Sequence, residues 1–292
     1  MRLRNFSPVF YLFPAFIILL LFLYYPIVQN LIYGFYKWNL MSGAKEWIGL
    51  DNYTKLLNSS EFQKAFLNNL RYVVISVIFQ VGVALVFAAM LENMKNRWLS
   101  TIFRTTFFLP SLISLTIIGL MFTFIYNTDG LLNGVLRLLG LGAFTKGWLG
   151  DGATAIYAVI AVSQWRAIGY TMVLLIVAIQ RIPREIFEAA RIDGASSFDI
   201  FKDITIPNIR GMITIALMLN IAGGFLVFND VFIMTSGGPF GSSQVLSILM
   251  YNYAFIHGKM GYAAAIANVI LIISFLFMLP QFFFSKRKDN GI

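Results

Sequence analysis

Six runs of apolar residues lie along the chain, at about 9–28, 72–91, 107–126, 153–178, 211–232 and 260–284. Each is near the roughly 20 residues with which a helix crosses a hydrocarbon core. The pattern predicts an all-α, polytopic membrane protein with six transmembrane helices. The first run, behind Arg2 and Arg4, has the look of a secretion signal. It is longer than the apolar core of such a signal and five further runs follow, so it is expected to stay as a span. Two polar segments between runs are long enough for structure of their own. Segment 29–71 holds Trp38, Trp47 and Tyr53 with Gly49 and Asn52 as turn residues, and 127–152 holds Asn127, Gly130, Gly140 and Gly142. Their aromatic rings suit anchoring at the membrane surface. No repeat or linker divides the chain, so 1–292 is expected to be a single domain with its core at about 70–285.

Six spans put both termini on one side of the bilayer, and the basic residues say which. Thirteen lysines and arginines fall on the terminus side, among them Arg2, Arg4, Lys95, Arg97, Arg184, Arg191 and Lys286; eight fall opposite. Per residue the terminus side is about 2.5 times richer, which predicts cytoplasmic termini. Composition agrees: 59% of the 292 residues are hydrophobic and 12% charged, with mean hydropathy +0.76. A soluble domain of this length needs more charged surface. The net charge of +9 is spread over short loops with no basic stripe, which argues against nucleic acid. With no cysteine and with His257 alone, neither a thiolate nor a histidine pair is present to hold a metal.

The loop at 182–210, between the fourth and fifth runs, is predicted to be cytoplasmic and built as a bracket. Pro183 suits the first turn of a helix. Helical spacing continues through Ile186, Phe187, Ala190 and Ile192, and Gly194 is a natural stop. Ser196 with Asp199 three residues on is a capping box for a second short helix, given an apolar face by Phe198, Ile200 and Phe201 and ended by Pro207. Small Ala189 and Ala190 leave room for another backbone.

Read together, Glu188-Ala189-Ala190, three residues, Gly194, nine residues and Ile204-Thr205-Ile206-Pro207 resemble the EAA loop of permease subunits of bacterial type I ABC importers, with Ile206 in place of leucine. Asn39, the run Trp47-Ile48-Gly49-Leu50-Asp51-Asn52-Tyr53, Gln164-Trp165, Gln180-Arg181-Ile182-Pro183 and Thr235-Ser236-Gly237-Gly238-Pro239 are similar to segments of carbohydrate-uptake permeases, the maltose-type first subunit in particular. The resemblance spans about 10–285. It implies the type I permease fold, a place in the bacterial inner membrane, and coupling to an ATPase through Glu188, Ala189, Ala190, Asp193, Gly194, Ile204 and Pro207. It also implies a second, non-identical permease, two cytoplasmic ATPase subunits, an extracytoplasmic solute-binding protein and a sugar or oligosaccharide cargo. No Gly-x-x-x-x-Gly-Lys-[Ser/Thr] phosphate loop occurs in the chain. ATP and magnesium are therefore expected on the partner ATPase, with no cofactor and no catalysis on this chain.

Polar residues inside spans face a cavity or a neighbouring helix. Gln80, Gln164, Arg166 and Asn220 fall at mid-depth; Tyr126, Asn229 and Asp230 fall nearer the outer end. Amides suit sugar hydroxyls and the Trp165 ring suits a sugar face, so these eight are the candidate pathway. Gln80 and Asn220 equally suit bonds between helices, and Arg166 a pairing with Asp230. Gly223-Gly224 suits either a kink or close packing. A polyol, a glycerol-phosphate or an acidic sugar is the alternative cargo. An ATPase-independent secondary transporter is the alternative class, weighed down by Asp230 being the one acid inside an expected span.

Overall fold

The computed structural model describes residues 8–289, with side chains described over 11–279. Arg2, Arg4 and the side chains of Lys286, Arg287 and Lys288 lie outside them. In chain order the elements are α1 (Tyr11–Tyr33), β1 (Tyr36–Trp38), β2 (Lys45–Trp47), α2 (Asp51–Leu57), α3 (Ser60–Glu92), α4 (Arg97–Leu112), α5 (Leu115–Ile125), α6 (Leu131–Leu138), α7 (Ala155–Ile179), α8 (Arg184–Ile192), α9 (Ser197–Asn208), α10 (Arg210–Phe225), α11 (Asn229–Met234), α12 (Leu246–Ile256) and α13 (Met260–Asp289). Four helices are long and apolar enough to cross a membrane, and six spans result if the bent pairs α4–α5 and α9–α10 each count as one. The strand pair is the departure, among the described residues, from an all-helical chain.

The chain forms two compact units, one running up to Phe62 and including Leu249–Leu271, the other Gln63–Ile248 with the segment from Ile272. In the first, α1 is apolar on every side as far as Val28, and none of the residues of its apolar window is buried; Tyr11 and Phe22 are more than three-quarters exposed. Such a helix suits lipid on every face. The hairpin that follows pairs Tyr36 with Trp47 and Trp38 with Lys45. Phe35 stacks on Trp47 at 5.5 Å, and the Lys45 ammonium lies over the Tyr33 and Trp38 rings at 4.2 and 4.4 Å. Asn52 is buried and donates to the carbonyls of Gly34 and Tyr36 at 2.9 and 3.0 Å. The motif of segment 47–53 thus fastens a hairpin to the end of α1 by satisfying backbone oxygens that water does not reach.

In the second unit α3 and α7 lie side by side. Ala84, Ala88 and Ala89 meet Met172, Leu175, Ile176 and Ile179 in one buried cluster. Small residues on one partner let helix backbones approach closely where lipid supplies no hydrophobic drive. A second cluster gathers Tyr72, Ile118, Val159, Ile160, Val231 and Ile248.

Three expected boundaries change. The second span begins at Ser60 rather than 72, because its polar first turns find partners: Asn68 donates to the carbonyls of Ser242 and Gln244 at 2.8 and 2.9 Å, and Arg71 donates to Asn68 Oδ1 at 2.9 Å. The run at 107–126 is not one helix; it bends by 96° where Ile113 and Ser114 take extended backbone after a tight turn containing Pro110. The run at 211–232 ends its helix at Phe225 and restarts at Asn229. The break is held from outside: Asn69 Nδ2 donates to the carbonyls of Gly224 and Phe225 at 2.8 and 3.3 Å, while its Oδ1 accepts from the Leu246 N–H at 2.8 Å. Interrupted helices persist at membrane depth only with such substitutes. Asp230 therefore begins a short helix instead of sitting inside a long one.

Candidate functional site

The bracket between α7 and α10 forms as its local signals dictate. Pro183 immediately precedes α8. Gly194 closes that helix at φ +84°, with its N–H on the Arg191 carbonyl at 3.2 Å and the Ala195 N–H on the Ala190 carbonyl at 2.9 Å. The Ser196 side chain accepts the Asp199 N–H, and the Asp199 carboxylate accepts the Ser196 N–H at 2.9 Å. One detail differs from expectation. Pro207 does not end the second helix, which runs on to Asn208 before a 74° bend at Ile209. A widened turn over Ile200–Thr205 precedes it, and such a turn shifts the carbonyls against which a prolyl ring otherwise clashes.

The bracket has two faces. Ile182 and Ile209 belong to the α3–α7 cluster, and Phe187 and Phe201 pack against it. Away from these contacts Ala189, Asp193 and Pro207 are exposed, as is Glu188 at the edge of a cavity beside the ends of α3 and α7, together with the large apolar side chains Ile192 (85% exposed) and Phe198 (68%). Ala190 and Ile204 are half-buried between the two. Apolar groups this open, rimmed by charge on a polar loop, mark a surface for a partner.

The hydrogen bonds from the Ser196 side chain and then its backbone N–H hold the Asp199 carboxyl below its ordinary value of 3.8. A group whose pKa is depressed by folding stabilises the fold above its unfolded value and loses that contribution as pH falls through the folded one. Hydrogen exchange of the α9 amides is therefore expected to keep its protection from neutral pH down to the ordinary carboxylate range and lose it below. Ser196→Ala weakens protection at neutral pH and flattens the acid response. An unchanged pH profile in that variant contradicts the assignment.

Deeper in the same unit a cavity of about 250 Å³ is lined by Gln80, Arg166, Asn220, Asn229 and Asp230, five of the candidate pathway residues, with Tyr72, Ser76 and Ser163 beside them. A smaller one of about 170 Å³ shares Gln80, Ala167, Leu219 and Asn220 with it, so the two continue one another between α3, α7 and α10. Gln80 Nε2 donates to Gln164 Oε1 at 2.9 Å, and Gln164 Nε2 donates to Ser76 Oγ at 3.2 Å and the Ile160 carbonyl at 3.1 Å. Gln164 is thus a tie between α3 and α7 behind the wall. Tyr72 Oη donates to Asp230 Oδ2 at 3.2 Å. Asp230 Oδ1 and Arg166 Nε make no hydrogen bond among the described residues. Asn220 donates to its own helix at the Ala216 carbonyl, 2.8 Å away, which leaves its Oδ1 for a guest.

Trp165 and Tyr126 are not brought to the cavity. Both rings rest against Phe122, at 5.4 and 5.5 Å, and Trp165 is 43% exposed on another face of α7. Tyr72, Ser76 and Ser163 were absent from the candidates. Tyr72, Ser76 and Gln80 stand four residues apart and so share one helix face; that spacing was the available signal. Of the two readings of Gly223-Gly224, Gly224 shows close packing, while the helix runs through both to Phe225 without a kink at Gly223, which lines the cavity. A Cβ on Gly224 comes within 2.6 Å of the Val73 side chain, whereas one on Gly223 meets nothing within 4 Å.

The profile of a family described as the binding-protein-dependent transport system inner membrane component matches residues 80–290. A probable ABC transporter permease protein of Bacillus subtilis, YurN, is 46% identical over 285 residues, covering 97% of both chains. The lactose transport system permease protein LacF of Rhizobium radiobacter is 32% identical across 94% of this chain and 92% of its own. The trehalose/maltose transport system permease protein MalF of Thermococcus litoralis is 30% identical across 90% and 88%. Among solved structures, a chain of a bacterial ABC transporter involved in the import of the acidic polysaccharide alginate superposes with a TM-score of 0.82 over 95% of this chain and 94% of that one, at 23% identity.

Proposed function

Since the chain belongs to the family of inner-membrane components of binding-protein-dependent transport systems, we propose that it is the sugar-transporting permease subunit of an ATP-driven importer. It acts as one permease domain with six membrane crossings and cytoplasmic termini, and forms half of the translocation pathway beside a second, non-identical permease. Two ATPase subunits bind ATP and magnesium and grip the bracket at Glu188, Ala189, Ala190, Asp193, Gly194, Ile204 and Pro207. An extracytoplasmic binding protein delivers the cargo. The observation that carries this reading is the bracket itself, with a complete spaced motif, a left-handed glycine stop and an uncovered apolar face on one polar loop.

The mechanism follows from where the bracket is fastened. ATP-driven closure of the ATPases displaces α8 and α9, and Phe187 and Phe201 press that displacement into the α3–α7 cluster. Packed helices respond as rigid bodies with few arrangements. The cavity between α3, α7 and α10 then opens to one side of the membrane or the other. Its wall offers amides, hydroxyls, one carboxylate and one guanidinium, a balance that suits neutral polyhydroxyl cargo better than an anion. Sugar relatives support an oligosaccharide.

Reconstitution with the partner permease and ATPases in proteoliposomes tests this reading. Uptake from a labelled oligosaccharide mixture is expected to require both ATP and the ATPases. Asn220→Leu and Asp230→Leu, which each remove a cavity hydrogen-bonding group worth about 1–3 kcal/mol when left unpaired, are expected to cut uptake about tenfold or more while the ATPases still co-purify. Uptake that persists without the ATPases overturns the assignment.

A further inference from the structure

At the bracket end of the second unit, one carboxylate gathers three elements. Glu92, the last residue of α3, is largely buried, and its Oε2 accepts from Arg104 Nη2 of α4 at 2.7 Å and from Gln180 Nε2, just past α7, at 3.0 Å. Its Oε1 lies 3.7 Å from Arg97 Nη1 in the first turn of α4. The next residue, Asn93, accepts from Arg191 Nη2 of the bracket helix at 3.3 Å. A cavity of about 550 Å³ separates α8 from the ends of α3 and α7 here. Bracket and span ends are therefore joined across open space by side chains as well as by the apolar contacts of Phe187 and Phe201.

From this geometry we infer that Glu92 is a positioning residue of the coupling step, the knot through which bracket movement reaches α4. The inference rests on the ATPase-coupled reading above. Arg104 is three-quarters buried and its Nε has no hydrogen-bond acceptor among the described residues, so Glu92 is the anion that fixes where that guanidinium sits. A short charge-assisted hydrogen bond that is partly buried holds geometry better than an exposed pair. α4 turns directly into the 96° bend that leads to α5, so a shift of its first turns is levered into the middle of the membrane. At this end α4 is also tied to α3 by the buried Ser100 hydroxyl, which donates to the Leu91 carbonyl at 2.8 Å. Among the described residues, though, Glu92 alone joins α4 to the end of α7 beside the bracket through its bonds to Arg104 and Gln180.

The chain has no cysteine, so spin labels report only where cysteine is introduced. One pair, Ser197→Cys with Tyr157→Cys, reports bracket against α7; a second, Leu112→Cys with Tyr157→Cys, reports the far end of α4. All four measurements use the full complex with its ATPases, with and without ATP and vanadate. In the parent both distances are expected to shift on trapping. In Glu92→Gln the bracket shift is expected to remain while the share of molecules showing the α4 shift falls between about twofold and thirtyfold, the usual range for a coupling residue. Arg104→Gln does the same, and the double variant is no worse than either alone, as for one shared interaction. An undiminished α4 shift in Glu92→Gln overturns the inference and leaves the importer reading intact. A parent whose bracket itself does not move overturns both. If Glu92→Gln does not fold, Gln180→Leu, which removes one bond to the same carboxylate, is read in its place.

Discussion

Gly194→Pro is expected to abolish ATP-driven uptake while the protein still reaches the membrane in ordinary amounts. The reason is local. Gly194 sits at φ +84° and gives its N–H to the Arg191 carbonyl. Proline is locked near −65° and has no N–H, so it fits neither requirement, and even a non-proline L-residue is strained there by about 1–2 kcal/mol. The turn between α8 and α9 must re-form, and the exposed side chains of α8, Glu188 and Ile192, lose their fixed placement relative to Phe198 of α9. None of the membrane core is touched, since nothing lies within 4 Å of a Cβ at that position. Glu188→Lys is the companion test. It inverts one exposed charge without disturbing the backbone, so binding of the ATPase weakens while the bracket keeps its shape. The measurements are membrane yield, co-purification of the ATPase and uptake in proteoliposomes. Wild-type coupling in Gly194→Pro removes the bracket from the mechanism.

The bracket was legible in the sequence because each of its signals is short-range. A proline before a helix, a glycine after it and a Ser196–Asp199 box act within four residues, and no distant partner was needed to interpret them. The spans were legible for a different reason, since an apolar run of sufficient length has one stable conformation in lipid. Hidden from the sequence were the places of the interruptions, although Gly223-Gly224 hinted at one in the fifth run. The break after Phe225 depends on Asn69, which lies more than 150 residues away in the chain, and the bend at 112–115 lies in an apolar stretch where hydropathy alone does not change. The rotation of each span about its own axis was equally hidden. α7 is apolar on most sides, so nothing in its pattern said that Arg166 would reach the cavity while Trp165 turned toward Phe122. Gln80 was found by its polarity alone; its neighbours Tyr72 and Ser76 needed helix phase as well.

Helix phase also decides which glycines hold the bundle and which merely line it, and Gly169→Ala is expected to be among the most damaging single methyls at the described residues. A Cβ there falls 1.9 Å from the Phe107 carbonyl oxygen and 2.4 Å from its carbon. Both are backbone atoms of α4, so no rotamer change relieves the overlap; α4 and α7 must separate. Overpacking of this kind costs about 1–3 kcal/mol, occasionally more, and a contact with main chain belongs at the upper end. Such a loss reduces the folded-to-unfolded ratio by about a hundredfold, since 1.4 kcal/mol is about a factor of ten. Gly223→Ala adds the same methyl one helix away, where nothing lies within 4 Å, and alanine is the better helix former by about 1 kcal/mol. It is expected to keep thermal stability and to affect only passage through the cavity that Gly223 lines. Thermal unfolding of the two variants in the same detergent, followed by size-exclusion chromatography, separates them. Equal melting temperatures for Gly169→Ala and the parent contradict the close crossing of α4 and α7, and with it the rigid path by which bracket movement is transmitted.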